Sequence, residues 1–143
     1  MTIVIGTKNA ISILPGAGLA PVETINLIYL DTTADALTAT ASSTQANTPA
    51  VGSRQNRFTT VAAASGTRLP PAMPGLSVTI INGQATNALL VWPASATEGG
   101  VTGGDAINAG GANASYSLSA SNSATFKCFT AGQWYASQGA YES

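Results

Sequence analysis

The chain has 143 residues, a formal net charge of −1 and only 8% charged residues. It contains no histidine and one cysteine, which excludes histidine-based nucleophile pairs, intrachain disulfides and zinc sites built from these residue types. The near-zero charge argues against nucleic-acid binding, and no apolar run is long enough to span a bilayer. We therefore expect a single domain that uses no cofactor or metal and contacts neither nucleic acid nor membrane.

The sequence pattern predicts strands and turns. Short runs rich in β-branched and aromatic residues are separated by clusters of Gly, Pro, Asn and Ser. The predicted strands are, in chain order, Ile11–Leu14, Ile25–Leu30, Phe58–Ala62, Leu76–Asn82, Ala88–Trp92, Ser115–Leu118, Ala124–Thr130 and Gln133–Ala136. About eight short strands in one domain favour an all-β fold, and we expect an antiparallel β-sandwich of jelly-roll type.

Three parts of the chain are expected to differ. Residues 1–31 carry N-terminal strands, and residues 58–143 form the main β-sandwich unit. Between them, residues 32–57 are rich in Thr, Ala, Ser, Asn and Gln and predict a long irregular arm that lies against another chain. Within that arm, Ala34–Ala41 is a candidate for a short helix. A second loop, Glu98–Ala114, is rich in glycine.

Alternation of apolar and polar residues predicts the core. The pattern Ala124-Thr125-Phe126-Lys127-Cys128 turns its aromatic ring and thiol inward and Lys127 outward. The residues predicted for the core are Val78, Ile80, Trp92, Phe126, Cys128 and Trp134. Asn82-Gly83 is typical of the turn that joins two strands of a hairpin.

The stretch from Leu69 to Ala136 carries an ordered set of motifs. A strand ending in Asn82 is followed by a second ending in Trp92-Pro93, a Gly-rich turn with Ile107-Asn108, and a closing Gly132-Gln133-Trp134-Tyr135. In this order the stretch resembles a β-module of tailed-bacteriophage virion proteins, and a chain of this size resembles their capsid decoration, or cement, proteins. The resemblance implies a non-enzymatic protein, made in the host cytoplasm and placed on the outer surface of the virion capsid.

The resemblance also implies the partners. The chain would bridge copies of the major capsid protein and stabilise the head. Arg54, Arg57 and Arg68, three of the five basic residues, are either solvated loop charges or anchors to carboxylates on the capsid. Copies of the chain are expected to associate, as a homodimer on the base rate of two-fold symmetry or as a trimer.

Two other functions stay open at this point. Exposed aromatic residues such as Tyr116 and Trp134 would suit a tail-fibre or receptor-binding tip that recognises host surface polysaccharide. Glu98 and Asp105 are the carboxylates that could form the acid pair of a small glycan hydrolase, although a glycine-rich loop holds such a pair poorly.

Overall fold

The computed structural model describes residues 32–140, which form nine strands in two sheets and one short 3-10 turn, Ala96–Glu98. The strands are β1 (Thr33–Thr38), β2 (Gln55–Thr60), β3 (Gly66–Arg68), β4 (Ser77–Asn82), β5 (Leu89–Trp92), β6 (Ala106–Ile107), β7 (Tyr116–Leu118), β8 (Asn122–Thr130) and β9 (Gln133–Ala140). The six-stranded sheet has the order β1-β2-β4-β8-β9-β6, and the three-stranded sheet has the order β3-β5-β7. This part of the chain is therefore all-β, as predicted, and contains no helix long and apolar enough to cross a membrane. The two N-terminal strands predicted within residues 1–31 lie outside the described residues.

From β2 to β5 the chain winds as a coil that alternates between the two sheets. β2 pairs in parallel with β4, and β3 pairs in parallel with β5. Gln55 aligns with Thr79, and Gly66 aligns with Leu90, so equivalent positions lie 24 residues apart in both sheets. β1 adds in parallel to β2, with Thr33 beside Gln55. Successive turns of the chain thus stack on one another, as in a β-solenoid.

The later strands add to this coil in the antiparallel direction. β8 pairs with β4, β9 pairs with β8, and β7 pairs with β5. Within residues 32–140, three antiparallel pairs therefore coexist with four parallel ones, including β6 with β9. The predicted antiparallel jelly-roll path is wrong for this part of the chain. Side chains alternate in both kinds of pairing, so the alternation that identifies a strand does not specify its direction.

Residues 32–57 form the predicted irregular segment only between β1 and β2, where residues 39–54 hold no named strand, and this segment packs on the chain's own core. β1 occupies part of the stretch, in place of the helix considered over Ala34–Ala41. Ala39 and Val51 are each 6% exposed and belong to the core. Their backbone amides donate to carbonyls of β2 and β3 at 2.9 and 2.8 Å. Hydrogen bonds to the chain's own strands satisfy backbone N–H groups of this segment, which has few apolar side chains.

Asn82-Gly83 ends β4 without making the predicted hairpin, because β5 belongs to the other sheet. The amide of Gly83 donates to the carbonyl of Phe58 at 2.8 Å. Asn82 is fully buried, and its Nδ2 donates to the carbonyls of Asn87 at 2.9 Å and Leu118 at 3.2 Å. The Asn82 side chain thus supplies hydrogen bonds to loop carbonyls where the chain crosses between sheets.

The core contains side chains from both sheets. Five of the residues predicted for it are at most 2% exposed: Val78, Ile80, Phe126, Cys128 and Trp134. The prediction for Trp92 is wrong, because this side chain is only half-buried. Alternation along β5 turns Leu89 and Val91 inward and places Trp92 on the opposite side, where its Nε1 donates to Ser43 Oγ at 3.2 Å.

Cys128 is an unpaired thiol inside this core. Burial raises the pKa of the thiol, and Sγ lies 3.1 Å from the carbonyl oxygen of Thr130. A buried, protonated thiol is a poor nucleophile for disulfide exchange. We therefore expect a reductant to leave the melting temperature unchanged in paired calorimetric scans. A clear decrease in the reduced sample would show that an intermolecular disulfide contributes to stability.

Candidate interaction surface

Two of the three arginines predicted to contact a capsid already have carboxylate partners within the chain. Arg57 donates to both oxygens of Asp35, from Nε at 2.6 Å and from a terminal nitrogen at 2.9 Å. These hydrogen bonds lower the pKa of the Asp35 carboxyl. Arg68 forms an ion pair with Glu98, and both side chains are only 16% exposed. Parallel pairing and coil geometry bring together residues that are distant in sequence.

Glu98 closes the short 3-10 turn. One of its carboxylate oxygens accepts hydrogen bonds from the backbone nitrogen of Ser95 at 3.0 Å and from Ser95 Oγ at 2.8 Å. Burial favours a higher pKa for Glu98, but the hydrogen bonds from Ser95 and the charge of Arg68 lower that pKa overall. The carboxylate therefore holds a loop in place.

Asp105 has a similar structural role in the interior. It is fully buried, and its two oxygens accept hydrogen bonds from the backbone nitrogens of Ala72 at 2.7 Å and Val101 at 2.9 Å. Two backbone donors satisfy a carboxylate that would otherwise be costly to bury. Asp105 thereby joins the loop before β6 to the segment before β4. Both carboxylates considered for glycan hydrolysis thus have structural partners.

The side chains of β2, β4, β8 and β9 that point away from the core form a continuous surface, which we call the outer face. Strand register places them in rows that cross the sheet. Hydroxyl groups predominate, and the Oγ1 atoms of Thr79 and Thr125 lie 3.2 Å apart. The side chains on this face include Gln55, Arg57, Ser77, Thr79, Ile81, Ser123, Thr125, Lys127, Phe129, Tyr135 and Ser137.

A cleft of about 420 Å³ opens at one side of the outer face. Its lining residues are all polar: Thr32, Thr33, Arg54, Gln55, Ser77, Thr79 and Thr125. Arg54 is exposed, and its carbonyl accepts a hydrogen bond from the backbone nitrogen of Thr79 at 2.7 Å, which fixes its backbone beside β4. Of the three predicted anchor arginines, Arg54 is the one with no carboxylate partner in residues 32–140.

An exposed aromatic pair lies on the outer face beside a bulge in β8. Cys128 aligns with Trp134 and Thr130 with Gln133, so Phe129 is the extra residue of the bulge. Phe129 is 71% exposed, and its ring centroid lies 5.9 Å from that of Tyr135, which is 46% exposed. Exposed aromatic residues are enriched at contact surfaces. Simple alternation places Phe129 on the same face as Lys127, two residues before it, whereas the bulge, which leaves Phe129 without a partner in the strand register, has no signature in the sequence.

The aromatic residues expected at a polysaccharide-binding tip occupy other places. Trp134 is fully buried, so the expectation that it is exposed is wrong. Tyr116 is half-buried and packs edge-on against Phe126, with ring centroids 5.6 Å apart. Its hydroxyl donates to Gln138 Oε1 at 3.0 Å. Phe129 and Tyr135 are the more exposed aromatic pair.

In the part of the chain that the structure describes, no group of three or more His, Cys, Asp or Glu side chains is placed to hold a metal ion. No protein-family model, curated protein or solved structure matches the chain. The outer face, with its polar cleft and exposed aromatic pair, is therefore the feature from which a function can be inferred.

Proposed function

We propose that the chain is a tailed-bacteriophage virion protein that binds the outside of the capsid and stabilises the head by bridging copies of the major capsid protein. The observation that carries the proposal is the outer face, a sheet surface rich in hydroxyl groups and bearing an exposed aromatic pair. Few ions must lose water when such a surface is covered, so its burial by a partner costs little. The resemblance of Leu69–Ala136 to phage virion modules supports the same function.

The outer face is suited to docking because regular strands support it. β4 and β8 pair over six consecutive positions, from Ser77 with Lys127 to Asn82 with Asn122. A surface that is ordered before binding loses little conformational entropy when it docks. In the complex, Phe129 and Tyr135 would enter pockets on the capsid, and the surrounding hydroxyl groups would exchange hydrogen bonds with its surface.

Stabilisation of the head follows from mass action. A protein that binds the assembled shell more tightly than its separated subunits shifts the equilibrium toward the shell. We propose a homodimer as the bound form, with a trimer as the alternative, because two-fold symmetry is the commonest in homo-oligomers. Two linked copies would also bind adjacent capsid subunits at high effective concentration.

Quantitative mass spectrometry of purified particles tests this function. The chain should be present at a copy number comparable to that of the major capsid protein. Heads assembled without it should rupture at a lower temperature and regain their heat resistance when the purified chain is added back. Absence of the chain from particles, or add-back without any gain in heat resistance, would contradict the proposal.

The exposed aromatic pair also favours a second candidate, a tail-fibre or receptor-binding tip. Sugar rings stack on exposed aromatic faces, and Phe129 and Tyr135 would provide that surface in place of the buried Trp134. The same measurement separates the two functions, because a tip protein would be present in only a few copies per particle and would be located on the tail.

A further inference from the structure

The charged groups of residues 32–140 divide into two sets. The carboxylates all have partners in the chain: those of Asp35 and Glu98 pair with arginines, and that of Asp105 accepts two backbone hydrogen bonds. Two cations in the same range, Arg54 and Lys127, have no carboxylate partner. The described residues therefore leave two positive charges uncompensated.

Lys127 belongs to the outer face, and Arg54 lies at its edge, one residue before β2 begins. Arg54 lines the polar cleft together with Ser77 and Thr125, and Ser77 is the direct neighbour of Lys127 in the pairing of β4 with β8. Two strand spacings separate the backbones of β2 and β8, so the backbone positions of Arg54 and Lys127 lie about 10 Å apart. The residues that line the cleft with Arg54 are Thr, Ser and Gln residues, and the cross-strand neighbours of Lys127 are Ser77 and Tyr135. None of these residues is a carboxylate.

This arrangement suits carboxylate ligands. A guanidinium presents paired N–H donors that match the two oxygens of a carboxylate, and an ammonium group binds a second carboxylate as a point charge. Hydroxyl groups of Thr79 and Thr125 lie in the same cleft and can donate to a bound oxygen. We infer that Arg54 and Lys127 recognise an acidic protein surface, a cluster of Asp and Glu side chains on the capsid partner. This inference rests on the proposed function and adds the chemistry of the partner.

The dimensions of the outer face suit a protein partner. β8 has nine residues and makes the face about 30 Å long, and the three strand spacings from β2 to β9 make it about 14 Å wide. The resulting area of about 420 Å² can supply about half of the roughly 800 Å² that each partner contributes to a standard protein interface. The exposed Phe129 and Tyr135 extend the same surface beyond the two cations.

The test measures binding of the full chain to two probes, poly-L-glutamate and a polyuronate, at 0.1 M and 1 M salt. Replacing both cations in R54Q/K127Q should weaken binding to poly-L-glutamate by about tenfold or more, as expected when two charged contacts are lost. The charge-retaining variant R54K/K127R should keep most of the affinity. A matched control, D35N/R57Q, neutralises an ion pair on the same sheet without changing the net charge and should bind nearly as the parent does.

Nuclear magnetic resonance locates the binding site. With poly-L-glutamate, shifts should concentrate on Gln55, Ser77, Thr79 and Thr125. Equal binding by the parent and R54Q/K127Q, or no binding to either probe, would overturn the inference. Binding to the polyuronate without binding to poly-L-glutamate would also overturn it and would identify an acidic glycan as the ligand.

Binding to particles separates failure of this inference from failure of the proposed function. If the parent chain coats heads and R54Q/K127Q coats them equally well, the acidic-partner inference is wrong and the decoration function stands. If the chain binds poly-L-glutamate through Arg54 but is absent from particles, the decoration function is wrong and the carboxylate site stands. If both the proposed function and this inference are right, the parent chain coats the heads and the R54Q/K127Q variant binds them about tenfold more weakly.

Discussion

Replacing Asp105 by alanine is expected to lower the free energy of unfolding by about 3–5 kcal/mol. The carboxylate is fully buried and accepts hydrogen bonds from the backbone nitrogens of Ala72 at 2.7 Å and Val101 at 2.9 Å. Each hydrogen bond to a charged group contributes about 1.5–3 kcal/mol, and the alanine variant leaves both amides without an acceptor. The loss should be large because neither amide can regain water without opening the loop before β6.

Chemical denaturation measures this effect. The Asp105→Asn variant keeps the size of the side chain but replaces one acceptor oxygen by a donor group, so it should lose most of the same stability. Asp35→Ala is the matched control, because Asp35 is also a hydrogen-bonded carboxylate but its side chain is 62% exposed. The denaturation midpoint of the Asp35→Ala variant should stay close to that of the parent. Equal midpoints for the Asp105 and Asp35 variants would show that the buried carboxylate does not hold the loop.

Replacing Trp134 by alanine is expected to cost about 3–5 kcal/mol of folding stability. Trp134 is 0% exposed and is among the largest of the fully buried side chains that the structure describes. It lies on β9 directly opposite Cys128 and belongs to the same core cluster as Phe126. Alanine would leave a large cavity in a region where regular strands restrict collapse, and the lost contacts would not be recovered.

Two further variants identify the cause of this loss. Trp134→Phe should cost clearly less than alanine, because it keeps an aromatic ring and because Nε1 of Trp134 has no hydrogen-bond partner among residues 32–140. Tyr135→Ala changes the adjacent, 46% exposed side chain on the other side of the same strand. It should leave the denaturation midpoint nearly unchanged while reducing attachment to capsids. Similar unfolding free energies for the Trp134→Ala and Tyr135→Ala variants would contradict the assignment of the two faces.

The strands that the sequence predicted best are those with one buried and one open side. In β4, Val78 and Ile80 alternate with hydroxyl-bearing residues, and the structure buries the apolar set completely. In β8 the same pattern placed Phe126 and Cys128 inside and Lys127 outside, as observed. These features are readable locally because side chains of a strand alternate between its two sides whatever the strand pairs with.

The strands that the sequence missed depend on neighbours that are distant along the chain. β1 reads Thr-Ala-Asp-Ala-Leu-Thr, which lacks a clear apolar alternation, and it is a strand because β2 offers it a parallel edge. β3 and β6 have only three and two residues, so they carry too little pattern to recognise. β3 pairs with β5 in the next turn of the coil and β6 pairs with the distant β9, and no short window of sequence contains these partners.

For the candidate surface as well, some features could be predicted from the sequence and others depend on the tertiary structure. Composition by itself determined that the chain has few charges, no histidine and many neutral polar residues suited to being covered, and the virion function proposed from the motif order stays a prediction. Only the tertiary structure decided which cations remain uncompensated, because Asp35 finds Arg57 across 22 residues through the register of β1 with β2. It also decided that Phe129 lies at a bulge, with its ring beside that of Tyr135. Charge pairing and bulges are set by strand register, which depends on long-range contacts, whereas composition and alternation are properties of the chain itself.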